Sequence, residues 1–132
     1  MLKQVSMMKR HPDLTMEAFV ERYETHHARL GEALFAKAKR FLRRYVQPQT
    51  NPLTGETTEL DFDVVMEIWW ASRADFEDAM AALASNPEAV AQASESGRTL
   101  FASASNPAFT VIERDSDMGT DWAAIEAGGS AR

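Results

Sequence analysis

Asp61 Phe62 Asp63 Val64 Val65 Met66 Glu67 Ile68 Trp69 Trp70 is the stretch that decides the fold. Phe62, Val64, Met66, Ile68 and Trp70 form one apolar row, while Asp63, Val65, Glu67 and Trp69 form the other. Successive side chains of an extended chain point to opposite faces, so this alternation predicts a strand with one apolar face and one mixed face. The mixed row has two readings. Its carboxylates face solvent, or they line a polar and aromatic cavity; solvent is favoured for at least one of Asp63 and Glu67.

Upstream, Pro48 to Glu59 carries Pro48, Asn51, Pro52 and Gly55, which predicts an excursion between two strands. Loops of this kind often border a site. Before it, Phe41 to Gln47 alternates as another strand. Downstream, Ser72 with Asp75 resembles a capping box and opens a helix with Phe76, Met80 and Leu83 inward. Asn86 and Pro87 restart it, and Val90, Ala93, Gly97, Leu100 and Phe101 continue the helical pattern. Asn106 and Pro107 end it before a last strand, Ala108 to Glu113.

At the start of the chain, Leu2 to Met8 reads as a strand and Lys9 to Leu14 as a turn around Pro12. Met16 to about Lys39 reads as the first helix, loosened near Gly31. Its stripe is Met16, Phe19, Val20, Tyr23, His27, Leu30 and Leu34, at steps of three and four. Thr15 is a suitable N-cap, with Leu14 and Phe19 as a hydrophobic staple. The helix carries the pair His26 and His27, two of the three histidines of the chain. At roughly 100° per residue, His27 lies about 40° from Tyr23 inside the stripe and His26 about 60° to the other side. His27 therefore faces inward, and His26 sits at the edge. His11, beside Pro12, reads as a surface residue.

The order strand, helix, strand, strand, helix, strand is the split βαβ arrangement, an α+β ferredoxin-like fold with a four-stranded antiparallel sheet and both helices on one face. The opposite face, with Val65 and Trp69, is costly to leave wet. Pairing two sheets across a twofold axis would bury it and enclose a cavity, so a homodimer is expected.

With 132 residues the chain has the length of one domain. A net charge of -6 and a pI near 5.0 argue against a nucleic-acid partner, which needs a concentrated basic surface. The one basic cluster is Lys37, Lys39, Arg40, Arg43 and Arg44, read as a solvated helix end in preference to an anion site. The absence of cysteine excludes disulfides and thiolate chemistry and fits a reducing compartment. A cytoplasmic location is expected, because Met1 to Met8 has no long apolar run to serve as a signal peptide or membrane span.

Lys9 Arg10 His11 Pro12 through Phe19, Tyr23, His26 His27 Ala28 and Leu30, then Leu42 Arg43 Arg44 Tyr45 Val46, Phe62 Asp63 Val64 Val65, Glu67 Ile68 Trp69, and Phe109 Thr110 Val111 Ile112 Glu113 follow in one order along the chain. Together they resemble the EthD domain family. The likeness spans roughly residues 1 to 114, with residues 115–132 as a C-terminal tail. It implies the dimeric α+β barrel fold, whose members include lyases, isomerases, polyketide cyclases and monooxygenases. The family helix reads aromatic, three residues, His, Ala or Val, Pro, Leu. Tyr23 and His27 take the first two roles, while Arg29 stands where proline is usual and lets the helix run on.

The doubled histidine, with Asp63, is more similar to the branch of dehydratases and decarboxylases acting on polyketide or aromatic compounds; the helix also resembles that of a methylmuconolactone methylisomerase. The resemblance implies that His27 is a proton-transfer residue, which an imidazole with a pKa near 6.5 allows. Tyr45 and Asp63 are its expected catalytic partners. Tyr23, His26, Glu67 and Trp69 are expected on the substrate side, with Tyr23 and Trp69 able to stack on a ring. The ordinary reading of each stands beside this: His27 as a hydrogen-bonded core residue, His26 as a solvent or dimer contact, Tyr23 and Trp69 as packing.

The expected partners are a small apolar or aromatic substrate and a second copy, with no membrane. No cofactor is expected, nor a metal, because adjacent helical histidines point about 100° apart and cannot easily clasp one ion. The function expected from the resemblance is a small cofactor-independent lyase or isomerase acting on an aromatic or polyketide-like compound. The alternatives are a noncatalytic small-ligand-binding accessory protein, or a haem-type or cofactorless monooxygenase of the same fold, for which haem has no motif of its own here. In the tail, Trp122 and Ile125 are spaced to dock a helical turn on the body or a partner.

Overall fold

The computed structural model describes residues 1–128. β1 (Leu2–Met8) is followed by one helix in three sections: α1 (Met16–Arg22), a π-helical turn (Tyr23–His27) and α2 (Ala28–Leu34). Then come β2 (Arg40–Tyr45), β3 (Val64–Trp70), α3 (Arg73–Ala84), α4 (Pro87–Leu100), β4 (Ala108–Thr110) and the short α5 (Trp122–Glu126). The strands lie in the order β2-β3-β1-β4, and every pairing is antiparallel. β3 thus separates the two strands that the first helix connects, which is the predicted ferredoxin-like topology.

The alternation in β3 does what the sequence predicts. Val64, Ile68 and Trp70 are buried under the helices. Trp70 is fully buried, with the rings of Phe35 and Phe76 6.1 and 6.0 Å away and its Nε1 donating to Gln4 Oε1 at 3.3 Å. The caps form as well: Thr15 Oγ1, Ser72 Oγ and Asn86 Oδ1 each accept from the backbone three residues on. These side chains satisfy amides that helix geometry leaves without partners.

Three expectations are corrected. The first helix stops at Leu34 rather than near Lys39, because the chain turns through Phe35 to Ala38 and Lys39 N–H donates to Trp69 O at 2.7 Å. The basic cluster is therefore no helix end. Its arginines lie on edge strand β2, where alternation sends Arg43 toward the helices and Arg40 and Arg44 to the opposite face. The last strand covers only Ala108–Thr110, pairing with Gln4 to Ser6. Pairing ends at Gln4 and Thr110 although β1 continues to Leu2, and beyond it Glu113 is tied to β1 through its carboxylate, 2.6 Å from Lys3 Nζ.

The sheet face away from the helices carries Val5, Leu42, Val65, Glu67 and Trp69, as register dictates. Trp69 is sandwiched between cations, with Lys3 Nζ 3.6 Å and Arg40 Cζ 5.0 Å from its ring. Glu67 accepts from Trp69 Nε1 at 3.0 Å and pairs with Arg44. The segment between β2 and β3 folds into an exposed excursion pinned by Thr50 and Thr57, whose hydroxyls are 2.8 Å apart. In α5, Trp122 and Ile125 are 76% and 52% exposed, so the turn forms without docking on its own protomer.

Candidate functional site

A cleft of about 350 Å³ opens between the first helix, α4 and the helix-side sheet face. Tyr23, His27 and Leu30 line one wall, Phe41 and Met66 the floor, and Ala93, Gly97 and Phe101 the opposite wall. The small residues of α4 leave this space open. Gly31 sets the floor, since a Cβ there would come within 2.7 Å of the Phe41 ring. Only glycine lets that ring lie so close to the helix backbone.

The π-helical turn shapes the first wall. Ala28 N–H reaches back five residues to Tyr23 O, so the turn holds an additional residue compared with an α-helix. Phe19 before it, Tyr23 at its start, and Ala28 and Gly31 after it are all buried, which an uninterrupted α-helix does not bring onto one face so closely. Such turns are often found at functional sites.

His27 is held on three sides. Its Nδ1 lies 2.8 Å from Ser96 Oγ on α4, and the rings of Tyr23 and Phe101 stand edge-on, each 5.2 Å away. Burial, aided by the neighbouring His26, lowers its pKa from the ordinary value of 6.5, so it is neutral at neutral pH. A neutral imidazole has one donor and one acceptor nitrogen, and a hydroxyl can serve either. With Nδ1 engaged by Ser96, Nε2 has no hydrogen bond, and no buried side-chain nitrogen or oxygen among the described residues lacks a partner. Nε2 is therefore the nitrogen that remains accessible.

Tyr23 lines the same cleft and is buried at the ring, which pushes its hydroxyl pKa well above 10 and keeps it protonated. Tyr45 lies behind it, the rings 5.9 Å apart. Its hydroxyl donates to Glu24 Oε2 at 2.5 Å, and Arg43 grips the same carboxylate through Nη2 and Nε at 2.6 and 3.0 Å. The Arg43 hydrogen bonds lower the Glu24 pKa, while burial followed by the Glu24 contact raises that of Tyr45. This network props the π turn against β2.

The other expected site residues lie elsewhere. Asp63, just before β3, accepts from Arg10 N at 2.9 Å and faces Arg10 Nε at 3.7 Å, so it braces the β1 exit and not His27. Glu67 and Trp69 point to the far sheet face because they share its parity. His26 is exposed and lines an outer groove with Glu88, Glu95 and Thr99. Of the seven, Tyr23 and His27 meet in the cleft, with Tyr45 behind them. Sequence reading missed Ser96, Glu24 and Arg43. Gly97 and Phe101 were read as helix pattern, and Ser96 between Ala93 and Leu100 was the available signal of a polar group on that face. Among the described residues no group of His, Cys, Asp or Glu is placed to hold a metal ion.

The EthD domain family model matches residues 11–115. The chain belongs to the EthD domain family. Two solved structures share its fold: At3g17210 from Arabidopsis thaliana, with TM-score 0.57, 14% identity, and coverage of 89% of this chain and 100% of that one, and an EthD family protein from Bacillus halodurans C-125, with TM-score 0.56, 14% identity, and coverage of 86% and 100%. At such identity the likeness concerns fold alone. No curated protein sequence matches the chain. Both cleft walls lie within the EthD match. Arg29, where EthD members usually have proline, sits in α2 and pairs with Glu32 at 3.1 Å, so the helix does run on.

Proposed function

We propose that this EthD protein is a small cofactor-independent lyase or isomerase, of the dehydratase or decarboxylase type, acting on an aromatic or polyketide-like compound. The observation that carries this reading is the state of His27: a neutral imidazole, pinned at Nδ1 by Ser96, with Nε2 accessible in an apolar cleft. In dehydration or isomerisation, Nε2 takes a proton from a carbon beside a carbonyl and returns it to the leaving hydroxyl or to another carbon. In decarboxylation, Nε2 takes the proton of the substrate's carboxylic acid, CO2 leaves with the C–C electron pair passing to the carbon, and the same nitrogen returns the proton to that carbon. The Tyr23 hydroxyl, kept protonated by burial, donates to the substrate oxygen on which charge develops. Tyr45 supports Tyr23 from behind. In this reading residues 1–114 are the functional domain, 115–132 an appended tail, and the protein works in the cytoplasm. No helix among the described residues is long and apolar enough to cross a membrane.

The pH profile tests the role of His27. Its pKa is depressed below 6.5, so the base form persists through neutrality and kcat/KM is expected to fall only as pH drops below 6.5. A profile that shows no fall on the acid side of 6.5 down to the pH at which the protein unfolds removes the imidazole from the mechanism. Binding of aromatic ligands with no turnover would favour the accessory-protein class.

The working unit is proposed to be a homodimer through the far sheet face. Val5, Leu42 and Val65 lie there, and Phe109 and Val111 extend the apolar strip while 43% and 41% exposed. Light scattering is expected to give twice the chain mass of 14.7 kDa. A strictly monomeric protein at micromolar concentration would undo this part.

A further inference from the structure

The cleft has two unlike sides. Leu30, Leu34, Phe41 and Met66 form an apolar floor and wall, whereas Ser94, Arg98 and Asn106 gather along the opposite lip. Arg98 is the one residue in the lining that is charged at neutral pH among the described residues. It arrives there by helical geometry. Ser94 is four residues before it, so the two share a face of α4, and Phe101 follows at the C-cap of the helix. A cation at the lip of an apolar cleft runs against the composition of a chain with net charge -6.

Arg98 is held in a fork by Glu95, with Nη2 2.6 Å from Oε1 and Nε 3.1 Å from Oε2. Both side chains are well exposed, 69% and 65%, and ion pairs of this kind contribute little because water competes for both groups. A ligand carboxylate offers the same two-oxygen geometry to the guanidinium. Exchange of one carboxylate for another leaves Arg98 fully bonded. Glu95 keeps a watery alternative, because it lines the outer groove and not the cleft.

We infer that the cleft takes an aromatic or alicyclic carboxylate, its acid group on Arg98 in place of Glu95 and its ring against Phe41 and Phe101 beside His27. The inference rests on the reading of this cleft as the ligand site, and it adds the chemical class of what enters.

The test uses the full chain and two probes of similar shape, 2-naphthoate and 2-naphthylmethanol. Affinity is measured by calorimetry and location by the amide NMR shifts of Gly97 and Phe101. Naphthoate is expected to bind about fivefold more tightly than the alcohol. Arg98→Gln is expected to close that gap, and so is added salt, while Glu95→Gln widens it by freeing the guanidinium. Both positions are exposed, so the fold tolerates either change. Equal affinities, or a gap that survives Arg98→Gln, overturn the carboxylate assignment while leaving the cleft as a ligand site. Failure of both probes to shift Gly97 and Phe101 overturns the assignment together with the cleft reading.

Discussion

Replacement of His27 by glutamine is expected to lower turnover by about a hundredfold or more, the usual contribution of a positioned general base. Glutamine can still bond to Ser96 and fill much of the space between Tyr23 and Phe101, so the loss reports on proton transfer more than on packing. Ser96→Ala separates the two effects. It leaves the imidazole in place but releases Nδ1, and about a tenfold loss is expected, accompanied by a change in the His27 ¹⁵N tautomer signals that a purely structural role would not cause. Unchanged kcat/KM in His27→Gln would remove the proposed mechanism outright.

Trp70→Ala is expected to be the most destabilising single change in the sheet, at about 3–5 kcal/mol. The side chain is fully buried beside Phe35 and Phe76, so its removal opens a cavity where the turn after α2 and the start of α3 rest on β3. Gln4 Oε1 also loses its donor. Against a total stability of about 5–15 kcal/mol for a domain, such a loss leaves a protein that is marginal at best. Urea unfolding measures it. A shift of less than about 1 kcal/mol would mean that the core is not organised around this residue.

How far the fold was legible follows from the range of each signal. The two rows of β3 and the caps at Thr15, Ser72 and Asn86 depend on neighbours in sequence, so pattern alone reveals them. The inward aim of His27 was legible for the same reason. The π turn was not, because a four-residue step from Tyr23 to His27 suits an α-helix and a π-helix almost equally well. The basic cluster was misread because five cations after a helix look alike whether the helix continues or a strand begins, and only the pairing of β2 with β3 decides.

For the site, the missing links span the chain. Ser96 is 69 residues from His27, and Glu24 is 19 from Arg43; neither spacing marks a contact. Asp63 illustrates the converse. Its segment resembles the family, but the strand end places it on Arg10.

The π turn has a mechanical consequence. It works like the offset in a crankshaft: α1 and α2 lie on one shaft but are set at different angles, the first bearing on the aromatic core through Phe19 with Tyr23 at its junction with the turn, the second on Phe41 through Gly31. Straightening the offset into plain α-helix would rotate one section against the other by up to about 100°, the angle of one residue. Either Tyr23 would leave the core or Gly31 would leave the floor of the cleft. The depth of the cleft is thereby geared to the packing of the core.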